Sequence, residues 1–297
     1  MATAPASAPP KAGTCELGPL RVTGCGGAER TVSDAAACKL EAGADLPKAR
    51  CNEVCAGFDT RSCSVNQGGD RVFCHAARPC LGRPTSLGPV AEATLQEGDA
   101  VADHLALARD AEAESVTAFV ELANDLERFG APKSLREACL RSANDEARHA
   151  ERMAELLARR GGARPARAGS AAPGFASLFD LALHNEREGV VGETWGALVA
   201  LHQAERAEGS ATREAMRAVA DDETEHAALS WRIAAWARAL VSERERALLD
   251  EARHDALRAL RASLGYRPAS LEAEAELGWP SRAASAAMLD ALAPALA

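Results

Sequence analysis

The sequence predicts an all-α protein of four long helices with one long crossover, preceded by a small cysteine-rich, loop-rich domain. Three observations predict it. Eight of the nine cysteines fall between Cys15 and Cys80, in a stretch full of turn residues and without a helical period. From about residue 97 onward the chain becomes rich in Ala, Leu, Glu and Arg, with long runs free of Pro and Gly. Those runs carry apolar residues at helical spacing, and the breaks between them are short except for one.

Composition narrows the class of function. The 297 residues carry a net charge of −9, and aromatic residues make up only 4%, with a single Tyr. An acidic chain with few rings lacks the basic stripe and stacking platforms that nucleic-acid binding requires, so no nucleic-acid partner is expected. No apolar run is long enough to span a membrane. The chain divides into a flexible N-terminal segment at 1–14, a cysteine-rich domain at 15–90, a helical bundle at 91–241 and a C-terminal helical extension at 242–297.

In the first domain, Cys15, Cys25, Cys38, Cys51, Cys55, Cys63, Cys74 and Cys80 include no CxxC pair, which argues against a zinc ribbon or a thioredoxin-like site. An even count in a short segment with few large apolar residues reads as a disulfide framework that substitutes for a hydrophobic core. The pairing stays open. Disulfides imply an oxidising compartment, periplasmic or secreted, yet MATAPASAPPKAGTC has no apolar h-region. Either an export signal lies upstream of this start or the thiols stay reduced, and the first is the expectation.

Helix one is expected from about 97 to 129, stopping at Gly130, and Pro132 suits the first turn of helix two, which runs to Gly161-Gly162. Helix three is expected over about 174–208 and helix four from Ser210 to about 241. Ser242 with Glu245 forms a capping-box signature for a fifth helix. The short links make two antiparallel hairpins. Between them GGARPARAGSAAP, Gly161 to Pro173, is long enough to run the length of a bundle.

The informative residues are carboxylates on apolar faces. At about 100° per residue, Glu146 and His149 fall within the stripe of Leu135, Cys139, Ala143, Ala150, Met153 and Leu157. Glu223 and His226 lie at the centre of the stripe of Met216, Val219, Ala220, Ala227, Ser230 and Ala234. On helix one Glu112 is mid-stripe, whereas Glu114 points roughly 160° away, toward solvent. On helix three Glu193 shares the face of Ala182, Gly189, Ala197, Ala200 and Ala204. Glu186 shares that face but lies about 10 Å back along the axis. Glu188 faces away unless the helix contains a π-bulge, so it stands in reserve to Glu193. Four carboxylates and two imidazoles in one core call for a compensating charge, which metal cations supply. One Glu from each of two helices, with Glu-x-x-His from each of two others, is the ligand inventory of dinuclear carboxylate bundles.

Over about residues 97–241 the sequence resembles the ferritin-like di-iron carboxylate superfamily. DEARH, Asp145 to His149, looks like the DExRH element of di-iron oxygenases and a tRNA hydroxylase, and DDETEH, Asp221 to His226, is its counterpart. EAESVTAF from Glu112 and EGVVGET from Glu188 look like a bacterial ferritin-like group of unassigned function with cysteine-rich leaders. The resemblance implies a ferritin-like fold and a bridged pair of iron ions, with manganese as the alternative. The partners it implies are dioxygen or peroxide, a small-molecule substrate and an electron donor, neither of which it identifies. No CxxC pair follows at the C-terminus, which weakens a rubrerythrin-type peroxidase.

The expectation is therefore a non-haem di-iron oxidoreductase, with Glu112, Glu146, His149, Glu193, Glu223 and His226 as metal ligands. A ferroxidase that stores iron, and a structural protein with a vestigial site, are the competing readings. Asp145 and Asp222, each one position before a ligand Glu, suit acceptors for a ligand His N–H, or else solvated helix residues. Cys139 reads as an inert core thiol, Trp195, Trp231 and Trp236 as packing, and Tyr266 as too remote for a tyrosyl radical. His75, His104, His184, His202 and His254 carry no partner pattern.

Overall fold

A computed structural model describes residues 15–17, 21–24, 27–56, 60–76, 99–161, 174–264 and 271–296. The expectations for residues 1–14, for Cys25, Cys80 and Tyr266, for the boundary at 90 and for the crossover beyond Gly161 lie outside these residues. The chain divides into two compact units, Met1–Arg78 and Pro79–Ala297. It is mostly helical, with one small sheet.

That sheet corrects the expectation of an all-α chain with a loop-rich leader. In the first unit β1 (Arg21–Gly24), β2 (Gly27–Thr31), β3 (Thr60–Val65) and β4 (Arg71–Ala76) form an antiparallel sheet in the order β1-β2-β4-β3. No alternation announced it, for a physical reason. Cys63, Ser64 and Val65 are all buried, as are Val72, Phe73 and Cys74, so neither strand shows a polar face at these positions. The short helix α1 (Lys48–Val54) contributes Cys51, and Cys55 follows at its end. Cys51 and Cys55 are four apart and so share a helix face, while Cys63 and Cys74 sit opposite each other in the β3–β4 register. Disulfides Cys51–Cys63 and Cys55–Cys74 join the two pairs, and Cys15–Cys38 closes a third loop.

In the second unit α2 (Ala100–Arg128) starts at Asp99, whose carboxylate accepts from the Val101 and Ala102 amides. It ends in a glycine cap. Gly130 has φ +76°, and the Ala131 and Gly130 amides reach back to the Leu126 and Glu127 carbonyls. Helix α3 (Lys133–Arg159) follows at once and packs against α2. Helix α6 (Ser210–Leu240) packs against α3 and against α5 (Thr194–Arg206). Helix α7 (Glu243–Ser263) opens on the expected capping box, with Ser242 and Glu245 bonded reciprocally. Helices α8 (Leu271–Leu277) and α9 (Arg282–Leu296) complete the unit. No helix among the described residues is long and apolar enough to cross a membrane.

The third long helix departs from expectation. Instead of one α-helix it runs as α4 (Leu178–His184), a π-helical segment (Asn185–Glu193) and then α5. Buried polar contacts support the irregularity. The Asn185 side-chain amide donates to the Ser230 carbonyl of α6, and the Thr194 hydroxyl donates to the Val190 carbonyl. Gly189 permits the close approach: a Cβ there would stand 2.6 Å from Asn185 Oδ1 and 2.9 Å from Ser230 Oγ.

Candidate metal centre

Four helical stretches deliver the polar cluster. Glu112 comes from α2, Glu146 and His149 from α3, Glu193 from the end of the π segment, and Glu223 and His226 from α6. Donor atoms of Glu112, Glu146, His149 and Glu223 lie within 4.8 Å of one another, and so do those of Glu193, Glu223 and His226. The two groups touch. Glu146 Oε1 lies 3.2 Å from His226 Nδ1 and Glu146 Oε2 lies 3.6 Å from His149 Nδ1. Glu223 likewise faces both rings, at 3.5 Å from His149 Nδ1 and 3.9 Å from His226 Nδ1. Glu146 and Glu223 thus span the cluster, with Glu112 and Glu193 at its flanks.

The cluster is closed from solvent on the imidazole side and slightly open on the carboxylate side. Both imidazoles are fully buried, whereas the Glu112 and Glu223 side chains are 13% and 12% exposed. The Phe119 ring packs against His226, with centroids 5.1 Å apart. Glu112 Oε2, Glu146 Oε2, His149 Nδ1 and His226 Nδ1 are buried without a hydrogen-bond partner. Buried polar atoms are ordinarily satisfied, and four that converge form a group that could hold a cation.

The protonation pattern agrees. Burial, then the carboxylates of Glu146, Glu223 and Glu193, push the Glu112 carboxyl well above its ordinary range. Burial acts against charge on Glu146 too, but the adjacent imidazoles of His149 and His226, at 3.6 and 3.2 Å, outweigh it and hold that carboxyl down to about 2. Burial also opposes charge on the imidazoles, and Glu146 and Glu223 override it, raising His149 to about 10 and His226 to about 9. Without a metal, protons do the neutralising that a cation would otherwise do.

A second ring of contacts fixes the imidazoles crosswise. His149 Nε2 lies 3.2 Å from Asp222 Oδ2, and His226 Nε2 lies 3.3 Å from Asp145 Oδ2. Each Asp serves the histidine of the other Glu-x-x-His helix. The contact fixes the tautomer that leaves Nδ1 facing the cluster. Arg148 ties the two aspartates together, at 2.5 Å from Asp145 and 3.3 Å from Asp222. Asp145, Asp222 and Arg148 line a groove of about 330 Å³ between α3 and α6, with Arg141, Ser142 and Leu229.

The structure brings together all six residues expected on apolar faces. Glu188 is half-buried on the π segment and stands outside the cluster, although the π geometry that would have favoured it is present. Glu186 is buried but faces elsewhere, toward Arg238 and Arg253. Cys139 is buried, outside any disulfide, within an apolar cluster. Sequence reasoning missed Arg148, whose signal was its place three residues after Asp145 and one before His149. It also missed buried His104, which packs edge-on against Trp279. No family model matches the chain, and neither a curated protein nor a solved structure does. The helical architecture with a Glu/His cluster able to hold a metal is compatible with a ferritin-like protein.

Proposed function

We propose that this chain is a ferritin-like di-iron carboxylate oxidoreductase that activates dioxygen or peroxide. The carrying observation is the set of four buried, unpartnered donor atoms that converge between two Glu-x-x-His helices. In this reading Glu112, Glu146, His149 and Glu223 would hold one metal, and Glu193, Glu223 and His226 would hold the other, with Glu146 next to both. Carboxylates with neutral imidazoles suit iron, with manganese as the alternative. The bound pair supplies reducing equivalents and Lewis acidity to an oxygen-derived substrate.

The chain's own residues do the rest. Glu146 and Glu223 keep the two positions adjacent. Asp145 and Asp222 accept the Nε2 protons of the opposite histidines and hold both rings in the ligating tautomer. Phe119 excludes water from the His226 side, while the opening beside Glu112 and Glu223 admits a small oxidant. The disulfides among the described residues support an extracytoplasmic site of action.

The test is anaerobic loading with Fe(II), followed by mixing with oxygen. Metal content near two ions per chain, with oxygen consumed on mixing, is the expected result. Glu146→Ala and Glu223→Ala abolish dinuclear binding, and Glu114→Ala leaves it intact. Tens of irons per chain would point to storage instead, and a loaded protein inert to both dioxygen and peroxide would overturn the oxidoreductase reading.

A further inference from the structure

A π-helical turn is rare, because its hydrogen bonds reach one residue further than those of an α-helix, and it persists where surrounding contacts over-determine it. The segment Asn185–Glu193 is tied to Arg253 of α7 directly at its start and, through Trp231 of α6, at its end. At its start, Glu186 is 1% exposed and both its oxygens are engaged. Oε1 accepts from Arg238 Nε at 2.8 Å, and Oε2 accepts from Arg253 Nε at 2.7 Å. At its end, Thr194 follows Glu193 directly, and its hydroxyl accepts from Trp231 Nε1 at 3.2 Å. The Arg253 guanidinium lies over that same Trp231 ring, 5.0 Å from its centroid. Arg253 belongs to α7, and α7 grips a second time where Asp250 binds Arg238 at 2.7 Å.

We propose that Arg253 is a positioning residue for the metal centre: it clamps both ends of the π segment and so determines whether Glu193 reaches the cluster. On a straight α-helix Glu186 and Glu193 share a face, being seven residues apart. In the π segment they serve different surroundings, Glu186 the arginines of α6 and α7, Glu193 the donor group with Glu223 and His226. Relaxation to α register rotates one relative to the other, and only one of the two can then keep its partners. With Arg253 in place the ion pair holds Glu186, and the π register carries Glu193 inward. Helix α7 thereby controls one metal position and leaves the other, built on α2, α3 and α6, to itself. The metal readout rests on the dinuclear function proposed above, whereas the clamp itself is readable in metal-free protein.

The experiment uses the full chain as wild type, Arg253→Ala and Arg261→Ala, the last removing an exposed ion pair of the same helix. Hydrogen exchange of the metal-free proteins and Mn(II) titration followed by metal analysis are the two readouts. Breaking a buried ion pair costs several kcal/mol, so exchange over residues 185–194 should rise about 100-fold in Arg253→Ala, with α2 and α3 amides unchanged. Manganese should fall from two ions per chain to one, and Arg261→Ala should match wild type in both. Should Arg253→Ala fail to fold, Trp231→Phe keeps the ring under the guanidinium but removes the bond to Thr194, and should speed exchange at the 190–194 end alone. Unchanged protection of 185–194, or a second manganese held at wild-type affinity despite faster exchange, would overturn the proposal. A wild type that takes up no manganese overturns the dinuclear function instead, and exchange in the metal-free protein then decides the clamp.

Discussion

In the cysteine-rich unit, five of the ten residues in the buried cluster are cysteines, and Val32, Leu40, Val54, Val65 and Val72 supply the remainder. In the helical unit, two larger apolar clusters lie on either side of the polar centre. One gathers Leu105, Leu157 and Met216, the other Phe119, Leu126, Leu229 and Ile233. The first unit has little apolar surface to bury and relies on covalent links between α1 and the β3–β4 pair. The second has enough apolar packing to hold four carboxylates and two imidazoles between its two ends. The difference teaches where buried charge is tolerated: between two apolar cores, where carboxylates and imidazoles face one another and could hold a cation.

The largest effect should come from breaking the covalent side of this comparison. Reduction, or Cys51→Ser with Cys55→Ser, removes links worth about 2–5 kcal/mol each and should unfold the first unit. Helical circular dichroism should keep its melting temperature, since the described residues of the helical unit hold no disulfide. Before reduction, the denatured protein should titrate with about one thiol. A common loss of sheet and helix signal on reduction would show that the two units depend on each other.

Next comes the charged centre of the helical unit. Metal at about a thousandfold excess over its dissociation constant should stabilise that unit by about 4 kcal/mol. Thermal melts should show this rise in wild type and Glu114→Ala, and lose it in Glu146→Ala and Glu223→Ala.

A smaller effect concerns His104, which burial holds down to about 4 against an ordinary value of 6.5. The unfolded chain binds the proton more readily, so the contribution is present above pH 6.5 and is lost as pH falls toward 4. Urea unfolding at pH 7 and near pH 4.5 should show wild type losing about 2–3 kcal/mol more than His104→Gln, unless the imidazole is charged when folded. The smallest effect is Arg261→Ala, whose pair with Asp290 is 52% and 63% exposed; the change should stay within about 1 kcal/mol in the same assay.

The parts of this protein legible in its sequence are those governed by local periodicity. Glu146 with His149 and Glu223 with His226 stood out because a helix repeats every few residues, so a polar side chain on an apolar stripe is visible without a partner. The same logic separated Glu112 from Glu114 and preferred Glu193 to Glu188, and the capping box at Ser242 was readable for the same reason. The β3–β4 pair was hidden, because Cys63, Ser64 and Val65, like Val72, Phe73 and Cys74, are buried in succession and leave no alternation to detect.

What only the tertiary structure decided lies between elements. Which cysteine meets which depends on β3 and β4 standing in register beneath α1. That Asp145 serves His226, and Asp222 serves His149, depends on how α3 and α6 pack. The π geometry of Asn185–Glu193 depends on Glu186 finding arginines from α6 and α7, more than fifty residues away in sequence. A sequence determines directly what neighbouring residues on one helix do together. Cross-helix contacts are chosen by the packing of the whole unit, because each becomes favourable only once the others have brought its partners into reach.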